Sequence, residues 1–209
     1  MVISIIGAGA LGKIIADIYT CSLGDINGFY DDNIPRGEMV MGLPILGSVS
    51  DLVDLEDKPA VIIGVGDVTE RKKIFEGLIS KQFKIEKAIH PSVRIHPVSK
   101  IKIGDGCIIK EGAVIEHGVS IGANSIIGNN ATICHDSIIG KNCRIAPGVT
   151  IAGHVIIGDD TYLAVNVSVD RKIKIGKNVT IASGCTIWKD IPDNSIVKLP
   201  AKMLVEEKQ

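Results

Sequence analysis

From Ile103 to Ile187 an aliphatic residue returns at every sixth position: Ile103, Ile109, Ile115, Ile121, Ile127, Ile133, Ile139, Ile145, Ile151, Ile157, Leu163, Val169, Ile175, Ile181 and Ile187. The fifth position of each hexad is also small or aliphatic, as at Cys107, Ala113, Val119, Ser125 and Ala131, and the second is Gly or Ala in ten of the fifteen. An amphipathic helix repeats every 3.6 residues and a half-buried strand every two, so a strict period of six is neither. The period predicts a parallel β-helix in which each hexad supplies one short strand and one tight turn, with first- and fifth-position side chains facing inward. The second-position glycines are expected at turns where a Cβ is costly. Ile89, Ile95 and Ile101 carry the pattern upstream with a two-residue slip before Ile103, which predicts an irregular first coil.

The preceding segment has a different pattern. VISIIGAGALGKIIADIY reads as an apolar strand, a glycine turn and an amphipathic helix; FYDDN ends a second strand, PAVIIGVGD is a third, and VTERKKIFEGLISKQ is a helix. This predicts a small α/β unit with a parallel sheet over 1–88, the β-helix over 89–192 and a tail over 193–209. Gly7, Gly9 and Gly12 form GxGxxG, and Asp31 follows Gly12 by nineteen residues. That spacing suits phosphate contact at a helix N-terminus and a carboxylate near a ribose or base edge. A β-helix begins after only half of a doubly wound fold, which favours a mononucleotide-sized ligand over a complete NAD site. Glycines that merely close a strand–helix turn are the alternative.

Composition narrows the class further. With 209 residues, 22% charged and a net charge of −1, the chain lacks the basic excess of a nucleic-acid binder. Aromatics are only 3%, so the core is built from small and branched aliphatics. The five cysteines form no CxxC pair, which suits a reduced, cytoplasmic chain. MVISIIGAG has no basic flank and too short an apolar run for a signal or membrane segment. Neither nucleic acid nor membrane is therefore an expected partner.

Titratable side chains are sparse in the repeat, yet residues 131–139 read ATICHDSII. His135 holds the third position of its hexad and His117 the same position eighteen residues earlier. If three hexads make one coil, the two imidazoles are stacked neighbours about 4.8 Å apart. His154 follows His135 by one coil plus one residue, and Asp136 and Glu116 stand beside them. A His–carboxylate pair suits a general base that removes a proton from an attacking amine or hydroxyl. Three imidazoles also suit zinc, as in a β-helix hydratase, although the HxxxxH pair of that family is missing. Cys134 as an acyl-carrying nucleophile is a third option, opposed by the opposite directions of adjacent side chains in extended chain. Asp136 meets the same objection unless the chain turns a corner there. A polar corner that only solvates the prism is the bland alternative. Cys107, Cys143 and Cys185, at fifth positions, are expected core fillers.

The chain resembles the bacterial sugar acyltransferases of the left-handed β-helix superfamily, close to the nucleotide-linked 4-amino-sugar N-acetyltransferases and sialic acid O-acetyltransferases. The resemblance rests on IIGAGALGK, FYDDN, IGVGDVTERKK, AIHPSV, CHDSIIG, IAPGVTIAG and PAK, and spans nearly the whole chain. It implies a left-handed coil, a homotrimer with active sites between subunits, and acetyl-CoA as acyl donor without a metal. By the same resemblance, His135 is the catalytic base, Asp136 its orienting acid, and the Gly153 amide the oxyanion donor. Arg144, Gly153, His154, Val165, Asn166, Ala182 and Ser183 are placed on the coenzyme. Gly7, Gly9, Leu11, Asp31, Asp32, Gly66, Asp67 and His117 are placed on the nucleotide sugar.

The implied reaction is N-acetylation of the 4-amino group of a UDP- or dTDP-linked amino-deoxy sugar by direct attack. O-acetylation of sialic acid or another sugar hydroxyl is the alternative, and a non-catalytic trimeric scaffold stands outside both. The chain departs from the family at four places. Ala10 and Leu11 replace a His after the first glycines; Lys198-Leu199-Pro200-Ala201 replaces Gly-x-Pro-Ala; Arg144 stands where some relatives have His and is suited to a coenzyme phosphate; VSVDRKIKIG lacks the usual glycine turn.

Overall fold

The computed structural model describes residues 2–22, 24–95 and 100–199. The PAK motif, and with it the end of the expected tail, lies outside them. The first unit is a five-stranded sheet of β1 (Val2–Ile6), β2 (Asp25–Tyr30), β3 (Met39–Val40), β4 (Leu43–Gly47) and β5 (Ala60–Ile63) in the order β3-β4-β2-β1-β5. All pairings are parallel except the short β3–β4 hairpin. Three helices cross between strands: α1 (Ala10–Cys21), α2 (Val49–Val53) and α3 (Val68–Ser80). β1 and β5 are near-continuous apolar runs, as strands covered on both faces must be. α1 lays Leu11, Ile15, Ala16 and Ile18 against them. Asp67 starts α3 by accepting the Glu70 amide at 2.9 Å, which satisfies one of the donors a helix N-terminus leaves open.

The second unit is a prism of stacked parallel rungs with faces of seven, six and five two-residue strands. The rungs pair eighteen residues apart, so Ile115, Ile133 and Ile151 lie in one column. Each first-position aliphatic is the inward second residue of its strand, and the fifth positions close the core beside them. Polar fifth positions are satisfied locally. Ser125, Ser137 and Thr161 donate to the carbonyls of Gly140, Ala152 and Gly176 at 2.9–3.0 Å. Cys107 and Cys143 take the same role with their thiols, and burial pushes these up to about 11 and about 12. They are inert fillers, as expected.

The glycines need a correction. Left-handed backbone falls on the fourth position of the hexad, at Asn124, Asn130, Asp136, Asn142 and onward, where Asn, Asp and Gly are tolerated. The second-position glycines serve close stacking of coils instead: a Cβ at Gly122 would stand 2.5 Å from the backbone of Gly140 in the next coil. The VSVDRKIKIG departure is visible here, because Lys172 carries φ 64 where the other coils use Gly, Asx or, at His154, an imidazole residue.

Both ends of the prism are irregular. The first coil carries the two-residue slip between Ile95 and Ile103, and its first rung, Ala88–Ile89, begins at the end of the expected α/β segment. The last rung pairs Thr180 with Ile196, sixteen residues on, which brings part of the expected tail into the seven-strand face.

The α/β unit sits on the lower seven-strand face, where Ala88, Ile108 and Ile126 join the cluster of Leu11, Ile15 and Phe29. Arg71 of α3 pins this contact. It is buried and donates to the carbonyls of Ile63 on β5, Gly106 and Asn124, the last two in the first coils. Burial lowers its guanidinium to about 10, so it remains charged at neutral pH. Lys72 adds an ion pair to Asp160 at 2.9 Å.

Candidate active site

The histidines gather at the corner between the six- and five-strand faces. Asp136 occupies a fourth position with φ 58, so the chain turns there. The turn removes the objection of opposed neighbours: His135 Nδ1 lies 3.0 Å from Asp136 Oδ2. That hydrogen bond is the largest cause holding the Asp136 carboxyl below the usual carboxylate range, with the charges of His154, His135 and His117 adding to it. His154 Nε2 stands 3.9 Å from the same oxygen, and its ring meets the His135 ring edge-on at 4.9 Å.

Glu116 accepts the His135 backbone N–H at 2.9 Å from the coil below. The other imidazole nitrogen of His135 projects over the next coil, where a Cβ on Gly153 would be 2.6 Å from Nε2. Only glycine leaves room for the ring there. The Gly153 N–H meets no protein acceptor among the described residues.

Ligand atoms of His135, Asp136 and His154 lie within 4.8 Å of one another, a spacing that could hold a metal ion. His117 is not part of that set, unlike in the three-imidazole arrangement considered from sequence. Cys134 is half-buried, and burial together with Glu116 pushes its thiol up, which opposes thiolate chemistry.

A pocket of about 450 Å³ lies between the α/β unit and the seven-strand face. Gly9, Leu11, Asp31, Gly66 and Asp67 line it, as the sequence places them on one ligand. A Cβ at Gly9 or Gly66 would meet nothing within 4 Å, so these glycines keep the pocket open rather than pack against protein. Asp31 turns out to be occupied: its carboxylate accepts the Ala8 and Asn33 amides at 2.8 Å and shapes the glycine loop.

Other expected positions lie elsewhere. Asp32 accepts the Val49 amide at the start of α2, and Gly7 supports the loop from behind with its N–H on Tyr30. Neither lines the pocket, and His117 belongs to the histidine corner. Arg144, expected along the coenzyme, stands in this pocket, with a guanidinium nitrogen 3.4 Å from the Gly66 carbonyl and its head over the Tyr162 ring. Lys110, Gly128 and Pro147 of the prism also line the pocket and were missed. Lys110 carried a signal, as a lysine at a second position otherwise dominated by Gly and Ala.

The remaining positions expected on the coenzyme divide between two corners. Val165, Asn166, Ala182 and Ser183 stack one coil apart above Ala146 and Pro147, at the corner between the seven- and six-strand faces. Gly153 and His154 share the histidine corner with His135. One side of a coil is six residues, roughly 15–20 Å at strand spacing, so one prism does not bring these two corners together.

Residues 2–78 match the family model for the PglD N-terminal domain, and residues 100–135 and 118–153 match the bacterial transferase hexapeptide of six repeats. No curated protein sequence matches the chain. Among solved structures, the acetyltransferase domain of PglB from Neisseria gonorrhoeae FA1090 is 28% identical, with 97% of this chain and 99% of that one covered and a TM-score of 0.86. That domain is also known in complex with acetyl coenzyme A. A point mutant of GDP-perosamine N-acetyl transferase from Caulobacter crescentus, in complex with CoA and GDP-perosamine, is 26% identical over 99% and 98% of the two chains, with a TM-score of 0.71. WeeI from Acinetobacter baumannii AYE, at 22% identity over 98% and 100%, shares the fold with a TM-score of 0.83.

The chain thus carries bacterial transferase hexapeptide repeats folded as a left-handed parallel β-helix. An N-terminal unit that matches the PglD N-terminal domain precedes that helix, and the whole chain is similar in fold to the sugar acetyltransferases named above.

Proposed function

We propose that this protein is an acetyl-CoA-dependent N-acetyltransferase that acts on the amino group of a nucleotide-linked amino-deoxy sugar. The observation that carries this reading is the His135–Asp136 pair, with His135 Nε2 standing free over Gly153. Relatives of the same architecture are acetyltransferases bound to acetyl coenzyme A or to CoA and GDP-perosamine.

In the proposed reaction Asp136 holds the imidazole in one tautomer through the bond to Nδ1. His135 Nε2 takes a proton from the sugar amine as that nitrogen attacks the thioester carbonyl. The Gly153 N–H is suited to the oxyanion of the tetrahedral intermediate. Collapse breaks the C–S bond, CoA leaves, and its sulfur takes the proton from the imidazolium. No covalent enzyme intermediate is needed, in keeping with the raised Cys134 thiol.

The division of the site between corners supports a homotrimer in which the histidine corner of one subunit faces the coenzyme corner and pocket of its neighbour. Ile138 and Ile156, exposed in one column beside the histidine corner, suit such a contact. Among the described residues no helix is long and apolar enough to cross a membrane. Unpaired cysteines and a CoA-borne substrate fit the cytoplasm.

The test is release of free CoA from acetyl-CoA with UDP-, dTDP- and GDP-linked 4-amino-6-deoxy sugars, for the wild type and His135→Ala. Release with one nucleotide-linked amine that falls 10²- to 10⁴-fold in the variant is the expected result. Unchanged turnover in His135→Ala would remove His135 as the base, and release only with a hydroxyl acceptor such as sialic acid would overturn N-acetylation.

A further inference from the structure

Two cations in the pocket have no anionic partner among the described residues. Lys110 and Arg144 both rise from the prism side of the pocket wall, and neither forms an ion pair among the described residues. Lys110 is half-buried, and its ammonium is held below the usual lysine range by that burial and by the like charge of Arg144. Of the three acids lining the pocket, Asp31 has both oxygens on backbone amides, Asp67 caps α3, and Glu70, in the first turn of α3, forms no ion pair with either cation. Arg144 is exposed at the mouth of the pocket, and holding its charge beside that of the half-buried Lys110 is unfavourable without an anion between them.

The rest of the wall says which way such an anion lies. On the α/β side Leu11, Ile14 and Val65 form an apolar stretch beside the polar Asp31, Asn33, Asp67 and Glu70, and the open glycines Gly9 and Gly66 leave it wide enough for a flat ring. Beyond the cations, the pocket ends at Gly128, Ala146 and Pro147, on the column that leads to Val165 and Ser183.

We infer that Lys110 and Arg144 hold the diphosphate of the sugar nucleotide, with the base toward the α/β loops and the sugar toward the Pro147 corner. This rests on the nucleotide-sugar reading and deepens it. It moves the main phosphate contact from the glycine loop, where Asp31 already takes the Ala8 amide, to the β-helix. It also separates Arg144 from the coenzyme. The guanidinium suits two phosphate oxygens at once, whereas Lys110 contributes a single mobile charge.

Phosphates reach this enzyme from the sugar nucleotide and from the coenzyme, so the test uses probes for both. Calorimetry with UDP, dTDP and GDP identifies the nucleotide that the wild type binds. The same titration then uses Lys110→Met and Arg144→Gln, with 3′-phosphoadenosine 5′-diphosphate as the coenzyme probe. Each variant is expected to bind the chosen nucleoside diphosphate at least about tenfold more weakly, in line with the loss of one charge-assisted contact. The salt dependence of binding is expected to lessen, coenzyme-probe affinity to stay at the wild-type value, and Lys110→Arg to recover most of the loss.

Both variants keep most of the side-chain volume, and thermal melting checks that the fold is retained. Wild-type nucleotide affinity in both variants, or a loss that falls on the coenzyme probe, overturns the inference while the proposed reaction stands. Wild-type enzyme that binds none of the three nucleotides overturns both.

Discussion

His135 Nε2 occupies the space directly above Gly153, at 2.6 Å from where a Cβ would begin. A substitution that adds one carbon at this glycine pushes the imidazole off its position without touching any titratable group. Gly153→Ala is expected to lower kcat at least tenfold while leaving the thermal midpoint close to wild type, because the corner is solvent-facing. Steady-state kinetics beside a melting curve read both. Wild-type kcat would show that the ring's position over Gly153 is irrelevant to the reaction.

Asp136 is ionised well into the acid range because His135 hydrogen-bonds it. As pH falls, the orienting hydrogen bond to His135 therefore persists below the ordinary carboxylate range and is lost only where Asp136 itself takes a proton. In Asp136→Asn the charge is gone and the side chain can donate as well as accept, so the imidazole is no longer held in one tautomer. The kcat/KM plateau is expected to fall at least tenfold, and the loss at low pH that belongs to the Asp136 carboxyl is expected to vanish from the profile. A wild-type plateau would mean that Asp136 does not act through His135.

Gly66 faces open space in the pocket. Filling it with Gly66→Val is expected to raise KM for the nucleotide sugar at least tenfold and leave KM for acetyl-CoA unchanged. Product-formation assays with each substrate varied in turn distinguish the two.

Complementation tests the shared site. In the proposed homotrimer, His135→Ala and a pocket-filling Gly66→Trp are each expected to remove activity from the assembly that carries them alone. When the two chains are mixed and refolded or co-expressed, about one site in four combines an intact histidine corner with an intact pocket. Activity near a quarter of wild type is expected if the halves come from different subunits, and none if each chain carries a whole site.

Arg71→Ala removes the donor that satisfies three buried carbonyls of Ile63, Gly106 and Asn124. At about 1–3 kcal/mol for each group left unpaired, partly relieved by water, the loss is on the order of 3–5 kcal/mol. Urea denaturation is expected to show it, with the α/β unit separating from the prism first.

The hexad period determined the prism by itself. A residue that recurs every six positions has one inward direction per side of a triangular coil, so each of the fifteen strands was legible down to the residue. Register also followed from the period, because three hexads close one coil and put His117, His135 and Gly153 in one column. Breaks in the second position carried information too. They fall at Lys110 in the pocket and at Glu116, Cys134, Asp170 and Trp188 on the histidine corner, whereas the third corner holds an unbroken glycine ladder at Gly104, Gly122, Gly140, Gly158 and Gly176.

Tertiary structure decided the rest, for one physical reason: contacts between elements far apart in sequence have no period. The left-handed turn at Asp136 lets an adjacent carboxylate reach His135, which alternation along an extended strand argues against. Docking of α1 and α3 on the seven-strand face placed Arg144, 78 residues from Gly66, in the pocket between the two units. It also set Lys110 beside Arg144, and buried Arg71 where three carbonyls converge. The sequence alone therefore determined the coil and its columns, while the packing of one unit on the other decided which columns meet a ligand.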